Sequence, residues 1–427
     1  MNKLVIYGAK KLYGEQTVQG SKNACLPIII ATILTKGENI LNRCPVLNDT
    51  VNTCKILTML GCSTKREKDK LIINTKNLYG NEISKHLMNK MRSSIIFLGA
   101  ILARCKEAIV YFPGGCDIGS RPINLHIFAL KKMGIKIKKN GDRLHCKVKE
   151  ANIKGAKIYL SFPSVGATEN IILAAVTADG ETTIQNAAIE PEIEDLCCYL
   201  NRCGAKINIC KNFKKTIIIK GVKSLNPCEY TIMPDRIVAA TVFAAVAAAK
   251  GEVLLKSINP KYLTHVTNIL TEMGCYVKNY DENKIYLKSN GNLTAVAKIK
   301  TMPHPGFPTD LQPIMMALSC VAKGTTIFVE TIFENRFRHV PELAKFGATI
   351  KVKNKVAAVK GTSKLYAANV YATDLRGGAA LIVAAIAAEG ISKIYNLKYI
   401  DRGYEKVQDQ FFKLGAQIFR KWFIKIN

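Results

Sequence analysis

The stretch LTMLGCSTK at 57–65 joins the end of an amphipathic helix to a glycine and then to a strand. Five further stretches repeat this pattern: LKKMGIKIK (130–138), LNRCGAKIN (200–208), LTEMGCYVK (270–278), LAKFGATIK (343–351) and FFKLGAQIF (411–419). Each glycine is predicted to take a left-handed conformation that ends its helix. The central glycines recur every 68–73 residues, a period that predicts six related units of alternating strand and helix.

A second pattern of helix, glycine and strand precedes the first one in five of the six units. It reads LTKGENIL (34–41), TADGETTI (177–184), AAKGEVLL (248–255), VAKGTTIF (321–328) and AAEGISKI (387–394). The second unit departs from the pattern, because RCKEAIVYF (104–112) has no glycine there and PGGCDIGSRP (113–122) follows it. An insertion in one copy of a repeat is where a functional loop is expected.

Several predicted helices are apolar on nearly every face, such as IVAATVFAAVAAA at 237–249. Such helices are predicted to be buried, with sheets around them. Six near-equal units most simply form two domains of three units, with a site in the cleft between the domains. The alternative of a single solenoid is disfavoured, because a repeat of about 70 residues is long for a solenoid.

The charge balance favours anionic partners. The chain carries 62 Lys and Arg against 32 Asp and Glu, a net charge of +30, which attracts nucleic acid, acidic membrane surfaces or phosphorylated substrates. The cysteines form no C-x-x-C pair and histidine is scarce, so no metal site is expected. Apolar runs are too short to span a bilayer. We therefore expect no membrane insertion, free thiols and a cytoplasmic protein.

These repeats, with GSKNACLP near the start, PGGC in the insertion and DRGYEKVQDQ near the end, closely resemble the enolpyruvyl transferases over essentially the whole chain. The resemblance implies an α/β fold of two domains, an inverse α/β barrel or prism built from six repeated βαβαββ units with buried helices. It also implies that 1–21 and 234–427 form one domain and that 22–233 form the other, which carries the cysteine loop.

The reaction implied by the resemblance transfers the enolpyruvyl group of phosphoenolpyruvate to the 3-hydroxyl of UDP-N-acetylglucosamine and releases phosphate. It would be the first committed step of peptidoglycan precursor synthesis, carried out by a monomer without a cofactor. The cysteine loop favours this sugar-nucleotide branch over the branch that acts on shikimate 3-phosphate. A non-catalytic paralogue that binds UDP-N-acetylglucosamine is a further alternative. A nucleic-acid binder should interleave basic stripes with exposed aromatic residues, whereas aromatic residues here are few and scattered.

Such chemistry needs a proton donor over the enol carbon C3, a base near the hydroxyl, and cations for phosphate and carboxylate. Cys116 is the candidate acid, because a thiol is mostly protonated at neutral pH. Arg121 lies on the same loop and matches the family's substrate-closing arginine. Gly114, Gly115 and Gly119 are expected to let the loop fold over substrate.

The remaining candidates follow from the resemblance and from their places at helix starts. Lys22 and Asn23 precede a helix whose first turn is expected to contain Pro27, and helix starts attract anions. Lys22 is assigned to catalysis and to contact with phosphoenolpyruvate, and Asn23 to the sugar hydroxyls. Asp310 is the candidate base for the 3-hydroxyl, with an N-cap role as the alternative. Arginine can hold a carboxylate or phosphate through two parallel hydrogen bonds. The other predicted substrate-binding residues are Arg92, Pro122, Ile123, Asn124, Leu125, Ser164, Val165, Gly166, Phe333, Arg336, Arg376 and Arg402, the last of which is also assigned to catalysis.

Three positions depart from the family pattern. Asn124 stands where the family usually has Asp, which affects a carboxylate contact to uracil but would leave a backbone contact intact. In PDRIVAATVF (234–243), Val238 replaces Glu and Ala240 replaces Gly, whereas Asp235 and Arg236 remain. We still expect activity, because the catalytic matches are present.

Overall fold

The computed structural model describes residues 2–114, 118–210 and 215–422, so the predicted acid Cys116 lies outside the described residues. The described chain contains 13 α-helices: α1 (Lys22–Ala31), α2 (Asn48–Met59), α3 (Lys85–Met88), α4 (Phe97–Cys105), α5 (Asn124–Lys132), α6 (Val165–Ala175), α7 (Pro191–Arg202), α8 (Arg236–Ala248), α9 (Thr264–Glu272), α10 (Gln312–Ser319), α11 (Val340–Ala344), α12 (Leu375–Ala387) and α13 (Val407–Phe412).

The strands of the described residues alternate with these helices. They are β1 (Lys3–Tyr7), β2 (Tyr13–Thr17), β3 (Glu38–Asn42), β4 (Ser63–Glu67), β5 (Lys70–Asn74), β6 (Glu107–Tyr111), β7 (Ile135–Asn140), β8 (Arg143–Val148), β9 (Lys157–Tyr159), β10 (Glu181–Gln185), β11 (Lys206–Cys210), β12 (Thr216–Lys220), β13 (Glu229–Thr231), β14 (Glu252–Lys256), β15 (Tyr276–Asp281), β16 (Lys284–Lys288), β17 (Lys298–Lys300), β18 (Thr325–Val329), β19 (Thr349–Lys353), β20 (Val356–Lys360), β21 (Asn369–Tyr371), β22 (Ile391–Tyr395) and β23 (Gln417–Lys421). Short 3₁₀ turns cover Thr32–Leu34, Arg92–Ile96, Pro260–Leu263, Thr309–Leu311 and Ile400–Arg402.

The chain divides into two units. The first unit contains 1–19, 117–120 and 234–427, and the second contains 20–116 and 121–233. The expected division places 1–21 with 234–427, whereas Gly20 and Ser21 group with the second unit here. The physical reason is local: Ser21 caps α1, and its backbone N–H donates to the carbonyl of Met233 at 2.7 Å. Residues 117–120 also depart from the expected division.

Each unit contains three sheets among its described residues. Those of the first unit have the orders β21-β22-β1-β23, β15-β16-β14-β2 and β17-β18-β20-β19. Those of the second unit have the orders β13-β3-β5-β4, β11-β12-β10-β9 and β6-β8-β7. In most sheets one parallel pair sits beside an antiparallel hairpin, as in β9 with β10 and β11 with β12. The three-stranded sheet keeps only a parallel bridge, Glu82 to Ile109, beside β6.

The apolar helices are buried, as their sequences predict. Every residue of α8 from Arg236 to Ala247 is buried, and the same holds for α12 from Arg376 to Ile386. In the second unit, α1, α4 and α6 are buried along most of their lengths. Burial on all faces explains why these segments show no polar stripe.

The predicted left-handed glycines are confirmed. The six glycines of the first pattern have φ between 84° and 102°: Gly61, Gly134, Gly204, Gly274, Gly347 and Gly415. In the second of the six repeats, which lacks the other glycine, Lys106 takes the left-handed conformation at φ 64°. In AAKGEVLL the left-handed residue is Lys250, at φ 57°, instead of the neighbouring glycine. The turn is therefore required by the fold even where glycine does not supply it.

Candidate active site

In the first unit, the predicted base Asp310 is held by two buried arginines. Arg336 Nη2 donates to Asp310 Oδ1 at 3.0 Å, and Arg376 donates through Nε and Nη2 to Oδ2 at 3.1 Å each. Both guanidinium groups are only 2% exposed, whereas the Asp310 side chain is 29% exposed. The carboxylate therefore keeps an open side while two cations stabilise its charged form.

The turn at Thr309–Leu311 does not use Asp310 as a helix cap. The turn is a 3₁₀ helix that precedes α10, and it has no side-chain cap. Arg336 also donates through Nε and Nη2 to the carbonyl of Thr309, at 3.1 and 2.9 Å. The carboxylate thus makes ion pairs with residues far along the chain, so the N-cap alternative is wrong.

Arg376 continues into a hydrogen-bonded chain. Its Nη1 donates to the hydroxyl of Tyr404 at 3.3 Å, and that hydroxyl lies 2.9 Å from Thr241 Oγ1. Thr241 in turn donates to the carbonyl of Ile237 at 2.7 Å. Burial alone would lower the pKa of Arg376, but Asp310, Tyr404 and Asp235 outweigh burial and raise it above its usual range. Arg376 is therefore a permanent cation beside the candidate base.

Asp374 and Glu330 support this cluster. Asp374 caps α12 by accepting from the backbone N–H groups of Arg376 and Gly377, both at 3.0 Å. Glu330 is 1% exposed and accepts through Oε1 from the backbone of Ile332 and Phe333 and through Oε2 from Thr309 Oγ1. Glu330 therefore ties the turn that carries the candidate base to the predicted Phe333 backbone contact.

The described part of the cysteine loop contacts the same region of the first unit. Asn335 N donates to the carbonyl of Ile118 at 2.9 Å. Gly119 has φ 154°, and a Cβ atom at this position would collide with Glu334 Oε2. The φ angle favours glycine here, which gives a conformational reason for one of the three loop glycines, whereas the Glu334 carboxylate could move aside.

Arg402 lies in the 3₁₀ turn Ile400–Arg402, as expected for a residue at a helix-like start. The neighbouring Asp401 is used by another arginine, because Arg420 donates to both of its carboxylate oxygens. This pair anchors the turn to β23. The Asp401–Arg420 pair thus helps to hold the turn that carries Arg402.

In the second unit, Lys22 begins α1 and pairs with a residue that the sequence analysis did not name. Lys22 Nζ lies 2.8 Å from Asp49 Oδ2, and the two side chains are 9% and 3% exposed. Asp49 lies in the first turn of α2. Pro27 lies in the second turn of α1 instead of its first, because Ser21 caps the helix and starts it at Lys22. Asn23 is exposed.

Arg92 is the first residue of the turn Arg92–Ile96, and its charge affects the pKa of a buried histidine. Burial, with the nearby charge of Arg92, lowers the pKa of His126 to about 3. Asn170 Nδ2 donates to His126 Nδ1 at 2.9 Å. The imidazole is therefore neutral and carries its proton on Nε2. His126 directly follows the predicted nucleotide-binding residues, and that position is the one signal that could have found it.

The predicted nucleotide residues sit at the starts of two helices. Arg121 is half-buried, Pro122 is exposed, and Asn124 begins α5 after the buried Ile123 and before the half-buried Leu125. Ser164 caps α6 by accepting from Ala167 N at 3.3 Å, with Val165 exposed. A Cβ atom at Gly166 would lie 3.5 Å from His126 Nε2. The imidazole donor and the start of α6 are thus neighbours.

With this geometry in place, the chain can be compared with known proteins. The sequence model of the EPSP synthase (3-phosphoshikimate 1-carboxyvinyltransferase) family matches residues 6–411. The chain belongs to this family. It is 45% identical over 420 residues to a UDP-N-acetylglucosamine 1-carboxyvinyltransferase 2 from Caldanaerobacter subterraneus subsp. tengcongensis, covering 98% of this chain and 100% of the relative. It is 46% identical to a UDP-N-acetylglucosamine 1-carboxyvinyltransferase from Lawsonia intracellularis, covering 98% and 99%.

Solved structures of enolpyruvyl transferases share the fold. The enolpyruvyl transferase NikO from Streptomyces tendae aligns with a TM-score of 0.86 at 22% identity, over 98% of this chain and 99% of that one. EPSP synthase from Acinetobacter baumannii aligns with a TM-score of 0.78 at 17% identity, over 99% and 100%. The family resemblance read from the sequence and the α/β fold with mixed sheets are thereby confirmed.

Three further features of the described chain are its lack of a membrane-spanning helix, its lack of a metal-binding cluster and the two residues of α8 that depart from the family pattern. Among the described residues, none of the helices combines the length and apolarity needed to cross a bilayer. The described part of the chain also shows no group of His, Cys, Asp or Glu suited to a metal ion. Val238 and Ala240 are buried among apolar neighbours in α8, while Asp235 caps that helix. The two apolar replacements therefore fit their surroundings.

Proposed function

We propose that this chain transfers the enolpyruvyl group of phosphoenolpyruvate to the 3-hydroxyl of UDP-N-acetylglucosamine and releases phosphate, in peptidoglycan precursor synthesis. The observation that carries the proposal is Asp310, a partly open carboxylate clamped by buried Arg336 and Arg376, in a chain 41–46% identical to enzymes named for this activity. A carboxylate kept charged at the start of a helix is suited to accept a hydroxyl proton.

The proposed reaction is an addition followed by an elimination. The 3-hydroxyl oxygen bonds to C2 of phosphoenolpyruvate while its proton passes to Asp310, and C3 takes a proton from Cys116. In the second stage C3 returns a proton to the thiolate of Cys116, the C2–C3 double bond re-forms, and the bond from C2 to the phosphate oxygen breaks, so that phosphate leaves with the electron pair of that bond. Lys22, Arg92, Arg121 and Arg402 bind phosphate or carboxylate, since cations stabilise the charge that develops on both groups.

The sugar nucleotide is assigned to residues of both units. In the second unit, the start of α6 at Ser164–Gly166 and the Nε2–H of His126 offer donors for the diphosphate. Asn23, Pro122, Ile123, Asn124 and Leu125 take the sugar and the uridine. In the first unit, the Phe333 backbone, positioned by Glu330, and Arg336 contact the sugar nucleotide next to Asp310.

The proposal includes a finer description of the molecule. Each unit is an inverse α/β barrel of three βαβαββ repeats with its apolar helices inside, which the recurring sheet order supports. The chain acts in the cytoplasm as a monomer. The thirteen cysteines within the described residues are free thiols, in keeping with a reducing compartment.

The test is phosphate release from phosphoenolpyruvate with either UDP-N-acetylglucosamine or shikimate 3-phosphate as acceptor. We expect release with the sugar nucleotide only. Asp310→Asn should lower kcat about 10²–10⁴-fold, the range for a lost general base, whereas the exposed Asp281→Asn should leave kcat unchanged. Release with shikimate 3-phosphate, or none with either acceptor, would overturn the proposal.

The role of Cys116 has its own test. Cys116→Ser should slow turnover about 10²-fold or more, because the hydroxyl is a far weaker acid than the thiol. Cys198→Ser is the matched control, since Cys198 is an exposed thiol on α7. Full turnover in the Cys116 variant would remove this thiol from the mechanism.

A further inference from the structure

The inner helices of the second unit end at a cavity far from the residues assigned to substrate. Helix α1 begins at Lys22, and its 3₁₀ extension ends at Leu34. Thirteen helical residues span about 20 Å. Leu34, Ala103 and Ala178, at the ends of three inner helical segments, line a cavity of about 760 Å³. This volume is in the range of small-molecule sites, roughly 300–1,000 Å³.

The charge of the cavity lining selects for an anion. Lys36, Arg104, Lys106 and Lys223 line it, with Asp179 as the one acid among its described lining residues, so the side chains sum to 4 − 1 = +3. Three helix C-termini contribute about −0.5 each. The partial charges of the three helix ends offset about half of the side-chain charge of the lining, so about half of that positive charge remains to attract an anion.

Part of the lining is already occupied by internal bonds. Lys106 Nζ donates to the carbonyl of Ala103 at 3.1 Å and to the side-chain oxygen of Asn152. Asn152 Nδ2 donates to Asp179 Oδ1 at 2.8 Å. The acid and one lysine thus belong to a small structural network, and neither is needed for a ligand.

The other polar groups of the lining are available. The side chains of Lys36, Arg104 and Lys223, which are among the lining residues, make no hydrogen bond or ion pair with another described residue. Lys36 and Lys223 are exposed and Arg104 is half-buried. A dissolved anion can therefore reach all three cations.

We propose that this cavity binds a small organic anion that carries a phosphate or carboxylate group. Arg104 and the two lysines bind the anionic group, since a guanidinium fork matches the geometry of both oxyanions. Val222, Leu225 and Pro227 provide an apolar wall for the rest of the ligand. This site is separate from the proposed substrate site and does not depend on the proposed function.

The experiment is calorimetric titration of the full-length chain with pyrophosphate and, separately, with citrate at constant ionic strength. The cavity variant is Arg104→Gln/Lys223→Gln. The matched control is Lys136→Gln/Lys206→Gln, which removes the same charge from exposed positions on β7 and β11 of the same unit. Anion binding at the substrate site persists in all three proteins, so the difference between them reports on the cavity.

We expect one anion to show a binding event that weakens at least about 10-fold in the cavity variant and stays unchanged in the control. Selectivity for pyrophosphate would identify phosphate chemistry, and selectivity for citrate would identify carboxylate chemistry. Equal binding by all three proteins, or equal loss in both variants, would overturn the proposal. Should the double variant fail to fold, Lys36→Gln changes an exposed side chain and should weaken the same event about threefold.

Discussion

The two units hold their predicted functional residues in different ways. In the first unit, Asp310, Arg336 and Arg376 bind one another, although they are separated by up to 66 residues in sequence. In the second unit, Lys22 and Arg92 instead interact with Asp49 and His126, which the sequence analysis did not assign. In the first unit the predicted functional residues therefore bind one another, whereas in the second unit two predicted cations lie beside residues that were not predicted.

This difference has consequences for stability. Asp310 lies against two buried cations, so losing its charge would leave both with less compensation, although Asp374 lies 3.8 Å from Arg336. In the second unit, losing Asp49 would remove the carboxylate that lies 2.8 Å from Lys22. Both arrangements preorganise charged groups before substrate arrives, but we expect the first unit to be the more sensitive to a single change.

The largest effect is expected from removing the shared carboxylate. Asp310→Asn should lower the free energy of unfolding of the first unit by about 2–3 kcal/mol, less than the roughly 3–5 kcal/mol for a fully buried ion pair, because the Asp310 side chain is 29% exposed. Asp49→Asn should lower that of the second unit by less, because it uncovers the charge of Lys22, whereas Asp310→Asn uncovers those of two arginines. Urea denaturation followed separately in the two units would measure both. Equal losses in the two variants would show that a carboxylate shared by two arginines stabilises its unit no more than Asp49 stabilises the other unit.

Lowering the pH should weaken both units, because each contains one buried neutral histidine. Burial lowers the pKa of His126 to about 3 and that of His339 to about 4, where Asp374 opposes and Arg336 adds to the effect. The unfolded chain takes up these protons near pH 6.5, so the stability they contribute is present above pH 6.5 and is lost on acidification toward pH 4–3. Between pH 6.5 and its pKa in the folded chain, each buried histidine should lower the free energy of unfolding by about 1.4 kcal/mol for every pH unit of acidification.

Substituting the histidines one at a time shows which of them causes the pH dependence of stability in each unit. His126→Asn should flatten the slope between pH 6.5 and 5 for the second unit, and His339→Asn should do so for the first. His86→Asn should change neither slope, because His86 is exposed. Unaltered slopes in both buried-histidine variants would place the acid sensitivity elsewhere in the chain.

A smaller effect is expected at Glu330, which supports the cluster without belonging to it. Glu330→Gln replaces a carboxylate oxygen that accepts from Thr309 or from the Ile332 and Phe333 backbone. Loss of one such bond in a buried group should cost about 1–3 kcal/mol of stability. If Glu330 also positions Phe333, KM for the sugar nucleotide should rise while kcat changes little. A fall in kcat alone would contradict this positioning role.

The smallest effect is expected at the cap of α6 in the second unit. Ser164→Ala should lower stability by about 1 kcal/mol, because Ala167 N loses its acceptor. Ser164→Asp should restore the cap but place a negative charge where the diphosphate is proposed to bind. A variant with restored stability and a raised KM for UDP-N-acetylglucosamine would separate capping from binding. Wild-type KM in both variants would leave Ser164 as a cap only.

Much of the fold was predictable, because its signals are local. The left-handed glycines, the buried apolar helices and the six-fold period each follow from a few neighbouring residues. In the structure, Gly20 and Ser21 group with the second unit, and Pro27 lies one turn later than expected. Both observations involve Ser21, which caps α1 and donates to the Met233 carbonyl, and neither bond can be read from the sequence alone.

The candidate site was predictable only as residue types at helix starts. The pairing of Asp310 with Arg336 was expected from the family resemblance and remained ambiguous from the residues alone. Asp49, His126 and Glu330 received no role, because each acts through a partner 20 or more residues away or through a backbone group that any sequence provides. The cavity at the ends of the inner helices had no sequence signal.

By itself, then, the amino-acid order determined the period of the repeats, the burial of the helices and the family. These properties depend on short-range patterns of apolar residues and turns, which act on the chain before distant parts meet. The ion pairs, the neutral histidines and the cation-lined cavity arose only once the chain had folded. Charge pairing and burial depend on distances between remote residues, and the sequence does not encode those distances locally.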